Sequence, residues 1–256
     1  MSESRGPVRV ERGPKRVRAL VEGRTAVDTL RPLLVWEKRS YPIYYVPVED
    51  VRGELVDTGR THHSPGRGDG HIQDLHLPDG LVVPEAALIY PEPEVDVLRE
   101  HVRFAWAKVD AWFEEDEEVF VHPRDPYVRV DALPSSRHVV VERDGITLAE
   151  STRPLLLFET GLVTRTYLPR TDVRLDLLVT SDTVTRCPYK GMATYYHLRA
   201  DDVHVDDVAW SYPFPTRESL PIAGLVCFHD EQVDLILDGS SQPRPERPFR
   251  TDHRLS

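Results

Sequence analysis

RPLLVWEKRSYPIYYVPVEDVRGELV, residues 31–56, returns without a gap as RPLLLFETGLVTRTYLPRTDVRLDLL, residues 153–178. Eleven of the 26 aligned positions are identical: Arg31/Arg153, Pro32/Pro154, Leu33/Leu155, Leu34/Leu156, Glu37/Glu159, Tyr45/Tyr167, Pro47/Pro169, Asp50/Asp172, Val51/Val173, Arg52/Arg174 and Leu55/Leu177. The same 122-residue offset holds upstream, where Gly23 and Thr25 face Gly145 and Thr147. Downstream, Ala87, Tyr90, Pro91 and Pro93 face Ala209, Tyr212, Pro213 and Pro215. A repeat of this period marks a duplicated fold, because a unit of roughly 100 residues can hold a core of its own. The chain therefore divides into a polar N-terminal arm (1–14), a first repeat (15–121), a connector (122–137), a second repeat (138–239) and a Pro-rich tail (240–256).

Around this repeat the composition is that of a soluble globular protein: 256 residues, 40% hydrophobic and 29% charged, enough apolar material for two modest cores. A formal charge of −11 argues against nucleic acid as a partner, since polyanion binding needs Lys and Arg to neutralise phosphates. The basic residues near the start (Arg9, Arg12, Lys15, Arg16, Arg18) read as a solvated arm and strand face. No apolar run approaches the roughly 18–20 residues that cross a bilayer, and the N-terminus lacks a signal-like apolar stretch, so no membrane partner and a cytoplasmic location are expected. Cys187 and Cys227 are the only cysteines, which leaves no disulfide framework and no paired-cysteine zinc site; neither a metal nor another cofactor is expected.

Strands are the main expected element. Glu22-Gly23 and Asp144-Gly145 each separate two short β-rich runs as hairpin turns do, and the β-prone runs 41–46 and 163–168 end at Pro47 and Pro169. The Pro-x-x-Asp-Val-Arg segments that follow read as short helical turns, with Asp50 and Asp172 paired to Arg52 and Arg174 to pin them; a buried Arg174 facing a groove would alternatively suit a carboxylate or phosphate. In 94–113 the residues Val95, Leu98, Val102, Ala105, Trp106, Val109 and Trp112 fall at spacings of three and four, which predicts one longer amphipathic helix in the first repeat only.

The densest motif is Thr185-Arg186-Cys187-Pro188-Tyr189-Lys190-Gly191, followed by Tyr195-Tyr196 and by Ala209-Trp210-Ser211-Tyr212-Pro213. Gly191 permits a positive φ or a close backbone approach, Pro188 stiffens the loop and Lys190 supplies a flexible cation, a combination suited to an anion. Here the chain resembles the bacterial family called domain of unknown function 427. Its pattern runs from a Glu (Glu159) through Tyr167 to Val173, Thr185 to Gly191 and Ala209 to Pro213, ending at Ile222 to Gly224. The resemblance covers about 138–239 closely and about 15–121 more loosely. It implies two β-tent domains, each with two antiparallel sheets meeting along one edge and leaving a groove. Relatives of that fold hold zinc with paired cysteines that this chain lacks. A nucleotidyltransferase label attached to the family does not carry over, because such enzymes need a Gly-Ser turn and an Asp-x-Asp pair for two metals.

The first repeat rewrites the motif as His62-His63-Ser64-Pro65-Gly66-Arg67-Gly68, so Arg67 stands for Lys190 and, downstream, Leu88 for Trp210. The expected ligand-binding residues are Lys190, Gly191, Glu159, Arg174, Tyr196, Trp210 and Tyr212, with His62, His63 and Arg67 in the first repeat. Cys187 is the candidate nucleophile, weighed against an inert small cysteine. Adjacent His62 and His63 on a strand point to opposite faces, which disfavours a shared metal. Trp210 and Tyr212 share one strand face, for core packing or for ligand stacking. Two functions follow from this pattern: binding, with or without transformation, of a small polar or anionic metabolite near the 185–191 loop, or a non-enzymatic interaction module. Nucleotide handling is weaker on charge grounds.

Because structural zinc needs four ligands at close spacing, the purified protein is expected to contain less than stoichiometric zinc by elemental analysis and to keep its thermal midpoint in chelator. Unfolding on chelation would overturn this.

Overall fold

The structure is a computed structural model that describes residues 8–37, 40–200 and 202–245. It divides into two units, Met1–Asp125 and Pro126–Ser256. In the first unit a seven-stranded antiparallel sheet runs, in spatial order, β1 (Arg9–Arg12), β4 (Leu33–Trp36), β5 (Ile43–Pro47), β9 (His101–Phe104), β8 (Val82–Ile89), β7 (Gly68–His76) and β6 (Glu54–Ser64). A four-stranded sheet is ordered β11 (Glu117–Val119), β10 (Ala111–Glu114), β2 (Val17–Val21) and β3 (Arg24–Thr29).

The second unit repeats this plan strand for strand. Its large sheet is β12 (Val130–Pro134), β15 (Leu155–Glu159), β16 (Arg165–Leu168), β20 (Val226–Phe228), β19 (Val203–Ser211), β18 (Gly191–Ala200) and β17 (Leu178–Cys187). Its small sheet is β14 (Ile146–Ser151), β13 (Val139–Arg143), β21 (Asp234–Leu237) and β22 (Ser240–Ser241). The register repeats as well: Leu33 faces Tyr45 as Leu155 faces Tyr167. Residues read from sequence as arm, connector and tail thus supply the strands β1, β12 and β22; residues 246–256 lie outside those described.

Alternation of side chains explains the layers. On β2, Val17, Ala19 and Val21 are buried while Arg18 and Leu20 are not, the half-buried pattern of a strand on one side of a core. Leu34, Tyr44, Val46, Val102 and Phe104 of the large sheet meet Val17, Ala19, Val27 and Trp112 of the small one in the main core. Their neighbours Leu33, Val35 and Tyr45 point the other way and form a second cluster with Tyr90 and Leu98. The central strands are therefore buried on both faces, which is why RPLLVW reads as a continuous apolar run and not as an alternation. The second unit has the same two clusters, Leu168, Val208, Val226 and Phe228 on the inner face and Leu155, Leu157, Tyr167, Trp210 and Cys227 on the outer.

The long helix expected over 94–113 does not form. Short 3-10 turns at Asp96–Leu98 and Trp106–Lys108 alternate there with the strands β9 and β10. The spacing misleads because the inward residues Val102 and Phe104, and then Trp112 and Glu114, alternate with period two on separate strands. Glu100, at φ 64, breaks the chain direction between turn and strand.

The conserved plan of the two copies has a polar hinge. Pro47 and Pro169 lead into the 3-10 turns Val48–Asp50 and Arg170–Asp172, after which Val51 and Val173 bridge to Val27 and Ala149 and so link the two sheets of each unit. The aspartate fixes this turn, but with the arginine at the start of the repeat and not with Arg52 or Arg174. Asp172 accepts from Ser151 Oγ (2.8 Å) and Arg153 Nη2 (2.8 Å), while Ser151 Oγ also caps the Arg153 N–H (3.1 Å). Asp50, Thr29 and Arg31 do the same at 2.6, 3.1 and 3.0 Å. The Arg153 guanidinium holds the Asp172 carboxyl well below the usual carboxylate range, against the opposing pull of burial. Arg174 instead pairs with Asp176 at 2.7 Å.

Asp172→Ala should destabilise the second unit by about 1–3 kcal/mol in urea titration, the scale for charge-assisted bonds. A depressed carboxyl stabilises fully above its unfolded pKa and loses that effect as pH falls through the folded one. The gap between wild type and variant should therefore be constant from neutral pH to about 5 and shrink below 4; a gap that widens on acidification would refute the assignment.

Candidate functional site

The motif loop closes the β17–β18 hairpin. Cys187 faces Gly191 in register, leaving Pro188, Tyr189 and Lys190 as a three-residue turn. Gly191 has φ +93°, and a Cβ there would sit 3.2 Å from the Phe214 carbonyl oxygen and 3.4 Å from the Thr216 nitrogen, so both the conformation and the close approach require glycine. The segment it touches holds the loop: Thr216 N–H donates to Lys190 O (3.2 Å), and Ser219 Oγ donates to Tyr189 O (3.0 Å).

Lys190 is not a mobile surface cation. Its Nζ is bonded to Glu159 Oε2 at the end of β15, with the two side chains 12% and 7% exposed. The loop backbone is anchored at 214–216, which turns the lysine side chain inward over the outer cluster, and the charge expected for a ligand is neutralised within the protein. Cys187 is half-buried, and among the described residues no base is hydrogen-bonded to it. The other thiol, Cys227, is buried, which pushes its pKa well above the ordinary value and keeps it protonated.

Of the residues expected at the site, Glu159, Cys187, Lys190, Gly191, Trp210 and Tyr212 gather on the outer side of the large sheet; Tyr196 and Arg174 do not. Tyr196 packs on the inner core, its hydroxyl accepting from Arg170 (2.9 Å), and Arg174 is spent on Asp176 near an exposed turn. It is Tyr195, one residue earlier, that faces outward.

The register places Tyr167, Cys227, Trp210 and Tyr195 side by side across four strands. Trp210 Nε1 donates to Tyr167 OH at 3.2 Å, and Tyr195 OH bonds Thr185 Oγ1 at 2.9 Å. Beside this row stands a charged group that sequence reasoning missed. Arg165, two residues before Tyr167, bonds Glu231 (2.7 Å) and Asp230 (3.1 Å), and its guanidinium carbon lies 5.5 Å from the centre of the Trp210 ring. His229 leans on Trp210 (4.4 Å between ring centres) and stacks on Tyr195 (6.2 Å), with Nδ1 3.7 Å from Glu231. Burial, then Arg165, lowers the His229 pKa, so the imidazole is neutral at physiological pH. Burial raises Asp230 to about 6; burial also pushes Glu231 up, but the bond and charge of Arg165, a backbone N–H and His229 together outweigh it and keep Glu231 low.

In the first unit the same geometry carries different chemistry. Ser64 faces Gly68 as Cys187 faces Gly191, and Arg67 turns inward as Lys190 does. Glu37 accepts from Tyr45 OH (2.6 Å) and pairs with Arg67 (3.3 Å) and with Arg103 (3.1 Å). Burial opposes the Arg67 charge, but Glu37 and the two tyrosines outweigh it and raise its pKa. Tyr90 OH meets Ser64 Oγ at 2.9 Å. His62 shares the strand face of Ser64, whereas His63 points away and pairs with Asp69 at 2.7 Å, so the two histidines do not share a site. An open depression of about 400 Å3 lies elsewhere in this unit, walled by Arg16, Asp28, Arg31, Asp50 and Arg52, of which Arg31 and Asp50 pin the turn. Among the described residues no three His, Cys, Asp or Glu side chains group to hold a metal ion.

The family described as domain of unknown function DUF427 matches the chain twice, over residues 9–115 and 131–239. No curated protein matches the chain.

Breaking a buried pair on one side leaves an uncompensated charge, at a cost of about 3–5 kcal/mol. Lys190→Met should lower second-unit stability by that order in urea, and adding Glu159→Gln should recover most of the loss. A single variant as stable as wild type would mean the pair is not buried in solution.

Proposed function

The chain belongs to the DUF427 family in both halves, and from that premise we propose that its second unit binds a small polar or anionic metabolite on the outer face of the large sheet, beside the 188–190 loop. The contacts are Arg165, Tyr195, Trp210 and His229, with Tyr212, Cys187 and Gly191 at the loop end. Lys190 and Glu159 serve by positioning that loop. We read each unit as a β-tent, its two sheets linked where Val51 and Val173 bridge to the small sheet.

One observation carries this reading. At the register positions of Tyr195, Trp210, Arg165 and His229 the first unit has Ile72, Leu88, Ile43 and Ala105. The last correspondence is fixed by equivalent backbone bonds, Ala105 N–H to Ala86 O and His229 N–H to Val208 O, at 2.8 and 2.9 Å. The fold is thus built without the polar groups. Placing a guanidinium, an imidazole and two carboxylates in a largely buried setting costs free energy that a plain scaffold avoids, and a ligand that uses them supplies the reason. Clustered, desolvated titratable groups of this kind are typical of functional sites. For proton transfer to or from a bound molecule, His229 is the suited group; its Nδ1 side faces Glu231 and it is neutral at pH 7. The cysteines are not, since Cys227 is held protonated and Cys187 lacks a bonded base.

A second reading, a protein-interaction module, is favoured by Phe214, 87% exposed in the segment that braces the loop. The two separate in a thermal-shift screen with polar metabolites, where a ligand that binds only the folded state raises the midpoint. Hits should bind at least tenfold more weakly, about 1.4 kcal/mol, to the double variant Tyr195→Ile, His229→Ala, which installs the first unit's residues and should fold normally. Hits that bind this variant as well as wild type would remove the proposed face; a screen without hits, with loss of partner binding on Phe214→Ser, would favour the interaction module.

A further inference from the structure

In the first unit one carboxylate serves two guanidinium groups. Glu37, Arg67 and Arg103 have side chains 6%, 6% and 19% exposed, and among the described residues neither arginine has another carboxylate partner. Arginine keeps its proton throughout the accessible pH range, and a single carboxylate can offset only one of the two guanidinium charges. The cluster therefore holds one positive charge in excess, and a charge in a buried setting is paired or is costly.

The second unit shows that the fold does not demand this excess. There the equivalent carboxylate, Glu159, meets a single cation, Lys190, and the position in register with the buried tyrosine, held by Arg103 opposite Tyr45, is Cys227 opposite Tyr167. Arg103 is thus an addition to a scaffold that is neutral without it. It is also the least buried member of the three, and the only one whose side chain is more than 10% exposed.

We propose that Arg103, with Arg67 behind it, is an oxyanion-binding site in the first unit, which takes the carboxylate or phosphate of a small metabolite as the missing counter-charge. A guanidinium suits this role because its planar fork donates two parallel bonds to one oxyanion. The hydroxyls of Ser64 and Tyr90, which bond each other at 2.9 Å beside Arg67, and His62 on the same strand face give further polar groups at the Arg67 end. The site shares no residue with the outer face of the second unit.

The experiment titrates wild type, Arg103→Leu and Arg103→Lys with inorganic phosphate and, separately, with succinate, by calorimetry and by thermal midpoint, against sodium chloride at matched ionic strength. Wild type should bind one of the two probes and gain in midpoint over the chloride control, and the tighter probe names the class, phosphate or carboxylate. Arg103→Leu leaves a one-to-one pair as in the second unit, so it should fold cooperatively and bind at least tenfold more weakly. Arg103→Lys, which keeps the charge, should retain part of the affinity and so exclude a folding defect as the cause. In the background of the double variant Tyr195→Ile, His229→Ala, Arg103→Leu should cause the same loss of probe binding as it does alone, which assigns that loss to the first unit. The proposal is overturned if wild type responds to neither probe up to about 20 mM, or if Arg103→Leu binds as tightly as wild type.

Discussion

Each unit depends on an acid–base pair buried where the hairpin loop meets the large sheet. Glu37 follows β4 and Glu159 ends β15, and Arg67 and Lys190, 30 and 31 residues further along the chain, reach them from a three-residue turn. Neither partner is affordable alone in that setting, so the pair fixes the turn to one place and one direction. The other features of the loop follow from this. Glycine must come next because the backbone is pressed against the 214–216 segment, proline stiffens the approach, and the carbonyls of 189 and 190 are bonded to that segment, so the loop is held by its backbone and its charge is used internally. A buried ion pair contributes little net stability compared with apolar residues of the same volume; what it contributes here is position.

Duplication within one chain supplies an internal comparison that a single domain lacks. Where both copies have the same chemistry, as in the Thr/Ser-Asp-Arg hinge that links the sheets, the residues belong to the fold. Where the register is equal and the chemistry differs, the fold tolerates either choice and the difference needs another explanation. The outer face of the large sheet is such a place: Ile43, Arg103, Leu88 and Ile72 on one copy stand for Arg165, Cys227, Trp210 and Tyr195 on the other. The exchange runs in both directions, since the first unit has its extra charge at the tyrosine row and the second has it one row further along.

The duplication, the β-rich character and the Gly-marked hairpins were legible because they are local or repeated. Glu22 and Asp144 take positive φ before Gly23 and Gly145, as the turn chemistry requires. The longer helix was misread because periods of two, interrupted by turns, imitate spacings of three and four when the interruptions are short. The partner of Asp50 was misassigned because Arg52 is near in sequence, whereas Arg31 is brought to it by the pairing of two strands. Tyr196 was preferred to Tyr195 for want of the register: adjacent residues of a strand face opposite ways, and only the bulge and pairing of β18 decide which is outward. Arg103, Arg165 and His229 lay outside the repeated identities. The signal for them was present as a negative, positions where aligned copies disagree in charge: Arg165 stands opposite Ile43 within the gapless repeat itself, whereas for Arg103 and His229 the copies slip by two residues between β8 and β9 relative to β19 and β20, and that slip hides the correspondence.

The divergence of the two faces also bears on how such a duplicated chain acquires a second specificity. The inner core is shared between two sheets, and a polar change there leaves an unpaired group among residues that have no access to solvent. The outer face has one sheet as a rigid floor and a braced loop at one end, so a change of side chain alters the chemistry without altering the backbone that positions it. Rigid strands hold Arg165 and Tyr167, Tyr195 and Trp210 at fixed separations, and the imidazole of His229 is set by its rings on either side. The first unit uses the same floor with an arginine where the second has a thiol. Two sites of different construction, one with two guanidinium groups on one carboxylate and one with a guanidinium, an imidazole and aromatic rings, can therefore coexist on one architecture.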